Sequence, residues 1–416
     1  MKVLLLSKFD GGGAGRATYR LHQGLCRSGI DSQMLVQIQS TNDRTVLTPQ
    51  TKLEKGIAKL SLISQLDTLP LQLYREREPV VYSLHWVPDR IVPQINQLKP
   101  DIINLHWIGQ GYVKIETLAK INQPLVWTLH DMWAFTGGCH YSQNCDRYTN
   151  SCGACPQLHS NKNWDLSRWV WQRKAKAWKN LNLTLVTPSL WLAKCVASSS
   201  LFHNLRVEVI PNGIDTETYK PVNKQVAREI LKLPQDKKLI LFGASWGTKE
   251  SRKGFHLLQP GLQTLIQWGW QDQLELVIFG ASQIDNSPPF GLKTHYLGTL
   301  KDDFSLALVY SAADVFVLPS TQDNLPNTVM EALTCGTPCV AFNIGGMSDM
   351  IEHQQNGYLA KPFDIEELAQ GISWVLENQE RHQKLGDRAR QKVEQEFTLA
   401  LQAQRYLSLF TEILHR

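Results

Sequence analysis

The sequence predicts an α/β fold of two Rossmann-like, doubly wound parallel-sheet domains facing a cleft. Three observations carry that expectation. Short apolar runs recur at spacings that leave room for helices, and the series runs twice along the chain. The two series meet at a strand that ends in Pro and Asn-Gly punctuation. A length of 416 residues also exceeds what one ordinary hydrophobic core supports.

The first series is "VLLLS" from Val3, "MLVQ" from Met34, "DIINLHW" from Asp101, "PLVWTLHD" from Pro124 and "LTLVTPS" from Leu183. Apolar runs without alternation mark strands buried on both faces. The second series, "KKLILFGAS", "LELVIFGAS", "DVFVLPS", "PCVAF" and "NGYLA", lies between Lys237 and Ala360, with helix-like stretches such as Asn327 to Thr334 between its members. The boundary is expected within "VEVIPNGIDTETYKP", Val207 to Pro221. That gives a first domain over 1–208, a second over 209–397 and a helix over 398–416 suited to packing back across the boundary. A cleft between two such sheets is the expected ligand site. Thr41 to Pro79 is less periodic and is expected to be an irregular helical insertion.

Composition narrows the class. Hydrophobic residues are 43% and charged residues 19%, a soluble globular balance, and a formal charge of +5 is too small to point to nucleic acid. The start, "MKVLLLSKFDGGGAG", meets glycines before a signal peptide's apolar region is complete. The sequence has no unbroken apolar stretch of about 18 residues. The expected location is the cytoplasm, with any membrane contact peripheral at the inner face of the plasma membrane.

After the first strand, Gly11, Gly12, Gly13 and Gly15 precede helical spacing at Ala17, Leu21 and Leu25. Amides at such a helix start can approach a phosphate closely. Dinucleotide spacing fails, because it requires a further glycine at Thr18 or at Arg16, and the Gly-Lys-Ser/Thr of a nucleoside-triphosphate loop is missing. A tight turn without ligand is the alternative. His106 and His130 fall at the carboxyl ends of two predicted strands, the edge where open α/β sheets bind ligands, and Asp131 follows His130 as a candidate to orient it. His85, outside a clear strand, is not included.

Cys139, Cys145, Cys152 and Cys155 are separated by five, six and two residues. Four soft ligands in a polar loop can close a tetrahedral structural zinc site, with "CGAC" as a two-ligand knuckle. An iron–sulfur cluster, disulfides, His140 in place of a thiol, and unligated cysteines are the alternatives. Cys26, Cys195, Cys335 and Cys339 are scattered, and a reducing compartment is expected. Trp164, Trp171 and Trp178 stand at sevenfold spacing beside Arg173, Lys174, Lys176 and Lys179. Core packing of the tryptophans with solvated lysines is favoured over a membrane-surface helix.

"PSTQDNLPNTVMEALTCGTPCVAF", Pro319 to Phe342, is the most specific stretch. It resembles the nucleotide-sugar motif of the retaining GT-B glycosyltransferases, particularly glycosyltransferase family 4, whose usual form has two glutamates separated by seven residues. Here the positions are Asp323, one methylene shorter, and Glu331. The glycine loop, "HD" at His130, "PNGID" at Pro211, "RKG" at Arg252, "IGGMSDMI" and "NGYLA" extend the resemblance over almost the whole chain.

The resemblance implies GT-B architecture, with the acceptor mainly on the first domain and the donor on the second. It makes Lys253, assisted by Arg252, the cation on the donor diphosphate, and Glu331 the acceptor of hydrogen bonds from ribose hydroxyls. Asp323 stands beside the donor sugar, while Asn324, Leu325 and Asn327 offer backbone groups to it, and Gly12 and Gly13 offer amides. His130, with His106 and Asp131, lies on the acceptor side; Lys253, Arg252, Asp323 and His130 form the implied catalytic set. Many relatives carry an arginine where this chain has Ala244. The residues alone also allow Asp323 and Glu331 to be a helix cap and a solvated acid.

The implied activity is retaining transfer from a nucleotide-diphosphate sugar to a saccharide or lipid-linked saccharide, in exopolysaccharide, lipopolysaccharide or other glycoconjugate synthesis, with no cofactor required. Sucrose- or glycogen-synthase-like transfer, or a noncatalytic saccharide-binding scaffold, are the alternatives.

Overall fold

The structure, a computed structural model, describes residues 1–48, 62–243, 250–281, 291–300 and 302–416. The chain divides into two units, Met1–Asn212 with Ala400–Arg416, and Gly213–Leu399.

The first unit carries seven strands: β1 (Lys2–Phe9), β2 (Asp31–Ile38), β3 (Val46–Leu47), β4 (Ile102–Leu105), β5 (Leu125–Thr128), β6 (Leu183–Thr187) and β7 (Val207–Val209). Every pairing is parallel, in the order β3-β2-β1-β4-β5-β6-β7. Val3 and Leu5 bury into one apolar layer while Leu4 and Leu6 bury into another. That is why the strand reads as a continuous apolar run. From β1 the chain first goes to β2 and β3, then returns to β4 on the other side. The carboxyl ends of β1 and β4 therefore flank a topological switch point, where open α/β sheets bind ligands.

The second unit repeats the logic with β8 (Lys238–Gly243), β9 (Leu274–Phe279), β10 (Thr294–Tyr296), β11 (Val315–Leu318), β12 (Cys339–Phe342) and β13 (Gly357–Ala360). Its parallel order is β10-β9-β8-β11-β12-β13, with the switch between β8 and β11. Apolar layers cover both faces here as well.

The last helix, Leu399–Leu414, belongs to the first unit although it follows the second in sequence. Ala403, Tyr406 and Phe410, spaced by three and four residues, pack with Val3, Leu5, Val126 and Val186. The Tyr406 hydroxyl lies 2.8 Å from Thr128 Oγ1, and Arg206 holds both carboxylate oxygens of Glu412 at 2.7 Å.

Two local expectations are corrected. The helix that was to carry all three tryptophans spans only Leu166–Ala177, because the Asp165 carboxylate accepts from the amides of Ser167 and Arg168 and starts it there. Trp164 thus precedes the helix and is 72% exposed, while Trp178 is buried beyond its end. Lys174, expected in solvent, is fully buried: its ammonium donates to the carbonyl of Trp133 and, at 3.0 Å, to that of Thr136, and sits 3.7 Å from the Trp133 ring centroid. The carbonyls and ring stand in for water. Within Thr41–Pro79 the described part is β3, a helix over Leu62–Thr68 and a tight helical turn over Leu69–Leu73; the stretch 49–61 lies outside the described residues.

Phe410→Ala should empty a fully enclosed site and cost the first unit about 3–5 kcal/mol, seen as a lower denaturant midpoint at unchanged slope.

Candidate functional site

At the switch point of the second unit, β11 ends and the chain runs through Pro319 to Pro326 before the helix Asn327–Thr334. The Asp323 side chain accepts from Lys253 Nζ at 2.6 Å and lies 3.2 Å from Arg252 Nη1. Arg252 is itself braced by Glu250 at 2.6 Å and by the Gln322 carbonyl at 2.9 Å. Asp323 is only 5% exposed. Burial pushes its carboxyl up, but the two cations and the hydrogen bonds from Lys253 and the Asn324 amide outweigh it and hold the group below its ordinary value. Asp323 does not cap the following helix, whose first position is preceded by Pro326 with no side-chain cap.

Glycines let these loops meet. Gly254 has φ of +73°, and a Cβ there would lie 1.7 Å from the Pro319 carbonyl oxygen; at Gly345, φ is +55° and a Cβ would lie 1.8 Å from the Asp323 oxygen. "RKG" and "IGG" are thus clamps on the two ends of the Asp323 loop. Further along, Glu331 is buried in the helix and accepts from the Tyr310 hydroxyl at 3.0 Å. Asn324 and Leu325 are buried and Asn327 opens the helix. Ala244, at the position where the resemblance expects an arginine, lies outside the described residues.

In the first unit, Gly12 and Gly13 are exposed and open the helix Gly12–Arg27, so their amides stand at its amino end. His106 follows β4 directly and His130 lies two residues past β5. The structure brings the two rings together, with His106 Nδ1 2.9 Å from His130 Nε2 and His106 Nε2 2.9 Å from Asn104 Oδ1. Burial lowers both pKa values, that of His130 to about 4 against a partial upward pull from Asp131, so both rings are neutral at pH 7.

Asp131 does not hydrogen-bond His130, contrary to the expectation that it orients that ring. Its Oδ2 accepts from Trp107 Nε1 at 2.7 Å and from His140 Nδ1 at 2.6 Å, and its Oδ1 accepts from the Trp133 amide at 2.9 Å. Burial raises the Asp131 carboxyl, but His140 and these hydrogen bonds bring it below its usual value. His140 Nε2 in turn meets Ser83 Oγ at 2.8 Å. The order Asp–His–Ser is that of a hydrolase relay, yet Ser83 is fully buried and its oxygen already accepts from the Gln110 amide at 3.0 Å. The trio is a structural pin.

Cys139, Cys145, Cys152 and Cys155 come together along one small cavity beside Tyr82 and Thr136. All four are free thiols. Cys152, Gly153 and Ala154 take left-handed φ values of 49°, 101° and 43°, which curl "CGAC" into a knuckle. Burial pushes the Cys139, Cys152 and Cys155 thiols up, Cys152 to about 12. Among the described residues no group of three or more His, Cys, Asp or Glu is set to hold a metal ion. A zinc ion would have to draw the four sulfurs inward from the cavity walls. His140, a candidate replacement ligand by sequence, is engaged by Asp131 and Ser83.

Asn104 and Trp107 are residues that sequence reasoning missed at this site, and His140, considered there only in place of a thiol, was missed as a partner of Asp131. Asn104 had a signal, as the lone amide in the buried run "IINL" two residues before His106 and thus on the same strand face. Trp107 and His140 had none, because their partner Asp131 is 24 and 9 residues away.

Residues 11–218 match the family described as Glycosyltransferase Family 4, and residues 223–392 match Glycosyl transferases group 1. A sulfoquinovosyl transferase of Arabidopsis thaliana is 26% identical over 77% of this chain and 58% of its own length, so the chain spans less than two thirds of that relative. Among solved structures, sucrose-phosphate synthase from Thermosynechococcus elongatus has a TM-score of 0.71 at 19% identity over 100% of both chains. Anabaena HepE in complex with UDP and glucose has a TM-score of 0.64 at 17% identity over 99% of each. At these identities the solved structures establish a shared fold. No helix among the described residues is long and apolar enough to cross a membrane.

Gly254→Ala should lower the thermal midpoint of the second unit by several degrees, whereas Gly13→Ala, whose Cβ meets nothing within 4 Å, should leave stability unchanged or raised; thermal unfolding of both variants checks this. Because the folded His130 pKa of about 4 lies below the ordinary 6.5, the folded state binds fewer protons than the unfolded state between those values. The stability contributed by this histidine is complete above pH 6.5 and is lost as pH falls toward 4. His130→Asn should flatten the fall in stability over that window, as measured by urea unfolding at each pH.

Proposed function

Since the chain belongs to glycosyltransferase family 4 by its residues 11–218, matches the glycosyl transferases of group 1 over residues 223–392 and has the GT-B fold, we propose that it is a retaining glycosyltransferase. It moves a sugar from a nucleotide-diphosphate sugar to a saccharide or lipid-linked saccharide in glycoconjugate synthesis. The observation that carries this reading is the pairing of Lys253 and Arg252 with Asp323 at the carboxyl end of β11, one loop ahead of Glu331. Two cations beside a helix-opening loop suit a diphosphate, and the second carboxylate, fixed by Tyr310, suits vicinal ribose hydroxyls. HepE, which shares the fold, was solved with UDP and glucose.

In the reaction the bond between the anomeric carbon and the phosphate oxygen breaks while the acceptor oxygen adds from the same face. The acceptor proton passes to the leaving phosphate. Negative charge grows on that phosphate, and Lys253 and Arg252 stabilise it without a metal having to supply the charge. Asp323 keeps both cations in place before the donor arrives and stands beside the donor sugar. Asn324, Leu325 and Asn327 offer backbone groups to the donor, and the Gly12 and Gly13 amides, at the amino end of their own helix, suit an anionic group. His130, backed by His106, is assigned to the acceptor side, and Asp131 keeps the surrounding loop in shape through Trp107 and His140. The four cysteines are assigned to a structural zinc staple for this loop, supported by their spacing and shared cavity. Metal analysis of protein purified without a histidine tag should find one zinc per chain, and its absence would overturn the staple.

UDP-, GDP- and ADP-sugars should be screened for protection against thermal unfolding and for nucleotide release with lipid-linked and soluble acceptors. One donor class should protect, and Lys253→Ala should lower kcat/KM by about 10²–10³, with Glu331→Ala weakening nucleotide protection. Equal protection of both variants would overturn the site. Donor binding without turnover on any acceptor would leave a saccharide-binding scaffold, and turnover with fructose 6-phosphate or glucan alone would indicate a synthase-like enzyme.

A further inference from the structure

A lysine in the interior of the first unit is an anomaly, because a buried cation is costly unless negative charge lies near it. Lys174 is fully buried, yet among the described residues no carboxylate lies at salt-bridge distance from it. Its ammonium donates to the carbonyls of Trp133 and Thr136, which are neutral. The Trp133 and Trp178 rings stand beside it, with centroids 3.7 and 5.6 Å from Nζ. Thr136 leads from this cation to the thiols. It lines the cavity shared by Cys139, Cys145, Cys152 and Cys155, and its Oγ1 donates to the Cys139 carbonyl at 2.6 Å. Burial pulls the ammonium well below its ordinary pKa, and the groups that pull it back up are Cys152 and Cys139, ahead of Asp131. Both Asp131 oxygens are already taken by Trp107, Trp133 and His140.

The thiol loop is firmly built. The Gly153 amide donates to Ser167 Oγ at 2.8 Å and the Cys155 amide to Asp165 Oδ2 at 2.8 Å, while a Cβ at Gly137 would lie 2.9 Å from that of Cys152. Four thiolates around one divalent ion make a dianion. We infer that Lys174 is the built-in counter-charge of the four-cysteine centre, its ammonium held behind Thr136 to compensate the dianion that Cys139, Cys145, Cys152 and Cys155 form when all four bind zinc. The inference rests on the zinc staple proposed above and extends it to the charge state of the site. It accounts for a lysine where methionine or leucine would avoid the cost of desolvation. A histidine ligand would reduce the charge to be compensated, and His140 is held instead by Asp131 and Ser83.

The test compares the full-length wild type with Lys174→Met, which keeps an unbranched apolar side chain and removes the charge. Competition with a chromophoric chelator should show zinc affinity falling about 10–100-fold in the variant. Urea unfolding should show the variant losing more stability with zinc than without it, because the two carbonyls are left unpaired in either state and the dianion only in the loaded one. Equal zinc affinity, or equal losses in the two states, would overturn the inference and leave the staple standing. A wild type that binds no zinc would overturn the staple and the inference with it. Two measurements on the wild type need no variant. Cobalt(II) in place of zinc should give the charge-transfer absorption of four thiolates, and the ¹⁵Nζ signal of Lys174 in the zinc-loaded chain should be that of an ammonium at pH 7. Absorption from only three thiolates, or a neutral amine at Lys174, would also overturn the inference.

Discussion

Burial of every central strand on both faces is the constraint from which the other features of this molecule follow. In a parallel sheet covered by apolar layers, the ladder uses the backbone groups and the side chains are confined to filling space. Polar groups able to meet a ligand are left at the carboxyl ends of strands and at the starts of helices. Both candidate clusters sit there: Asp323 after β11, and His106 and His130 after β4 and β5. The fold offers such an edge twice, once in each unit.

The two edges are electrostatically unlike. In the second unit the buried Asp323 carboxylate is kept ionised by Lys253 and Arg252, and it gives them a counter-charge in turn. Neither sign is stable there without the other, because an unpaired buried charge is costly. Both cations are thereby fixed in position, with Lys253 Nζ 2.6 Å from the Asp323 carboxylate.

In the first unit burial acts on histidines instead, and it removes charge. His106 and His130 are neutral and linked by shared hydrogens, while the one carboxylate described beside them, Asp131, is spent on Trp107, Trp133 and His140. A neutral ring aligned by its neighbours suits recognition of a hydroxyl better than that of a phosphate.

The two doubly wound sheets were legible in the amino-acid order alone, because periodicity is a local property and each strand declares its burial in its own run of residues. So was the strand–loop–helix unit from Pro319 to Thr334, in which Asp323 and Glu331 are positioned by one short segment. The strand ends at His106 and His130 were legible for the same reason. The groups those residues meet were settled by folding in three dimensions. Asp131 turned from the adjacent His130 to His140, Lys174 turned inward to the Trp133 and Thr136 carbonyls, and the last helix joined the first unit. These choices depend on which distant segments lie beside a strand end. Spacing along one element fixes the direction of a side chain but not the partner waiting there.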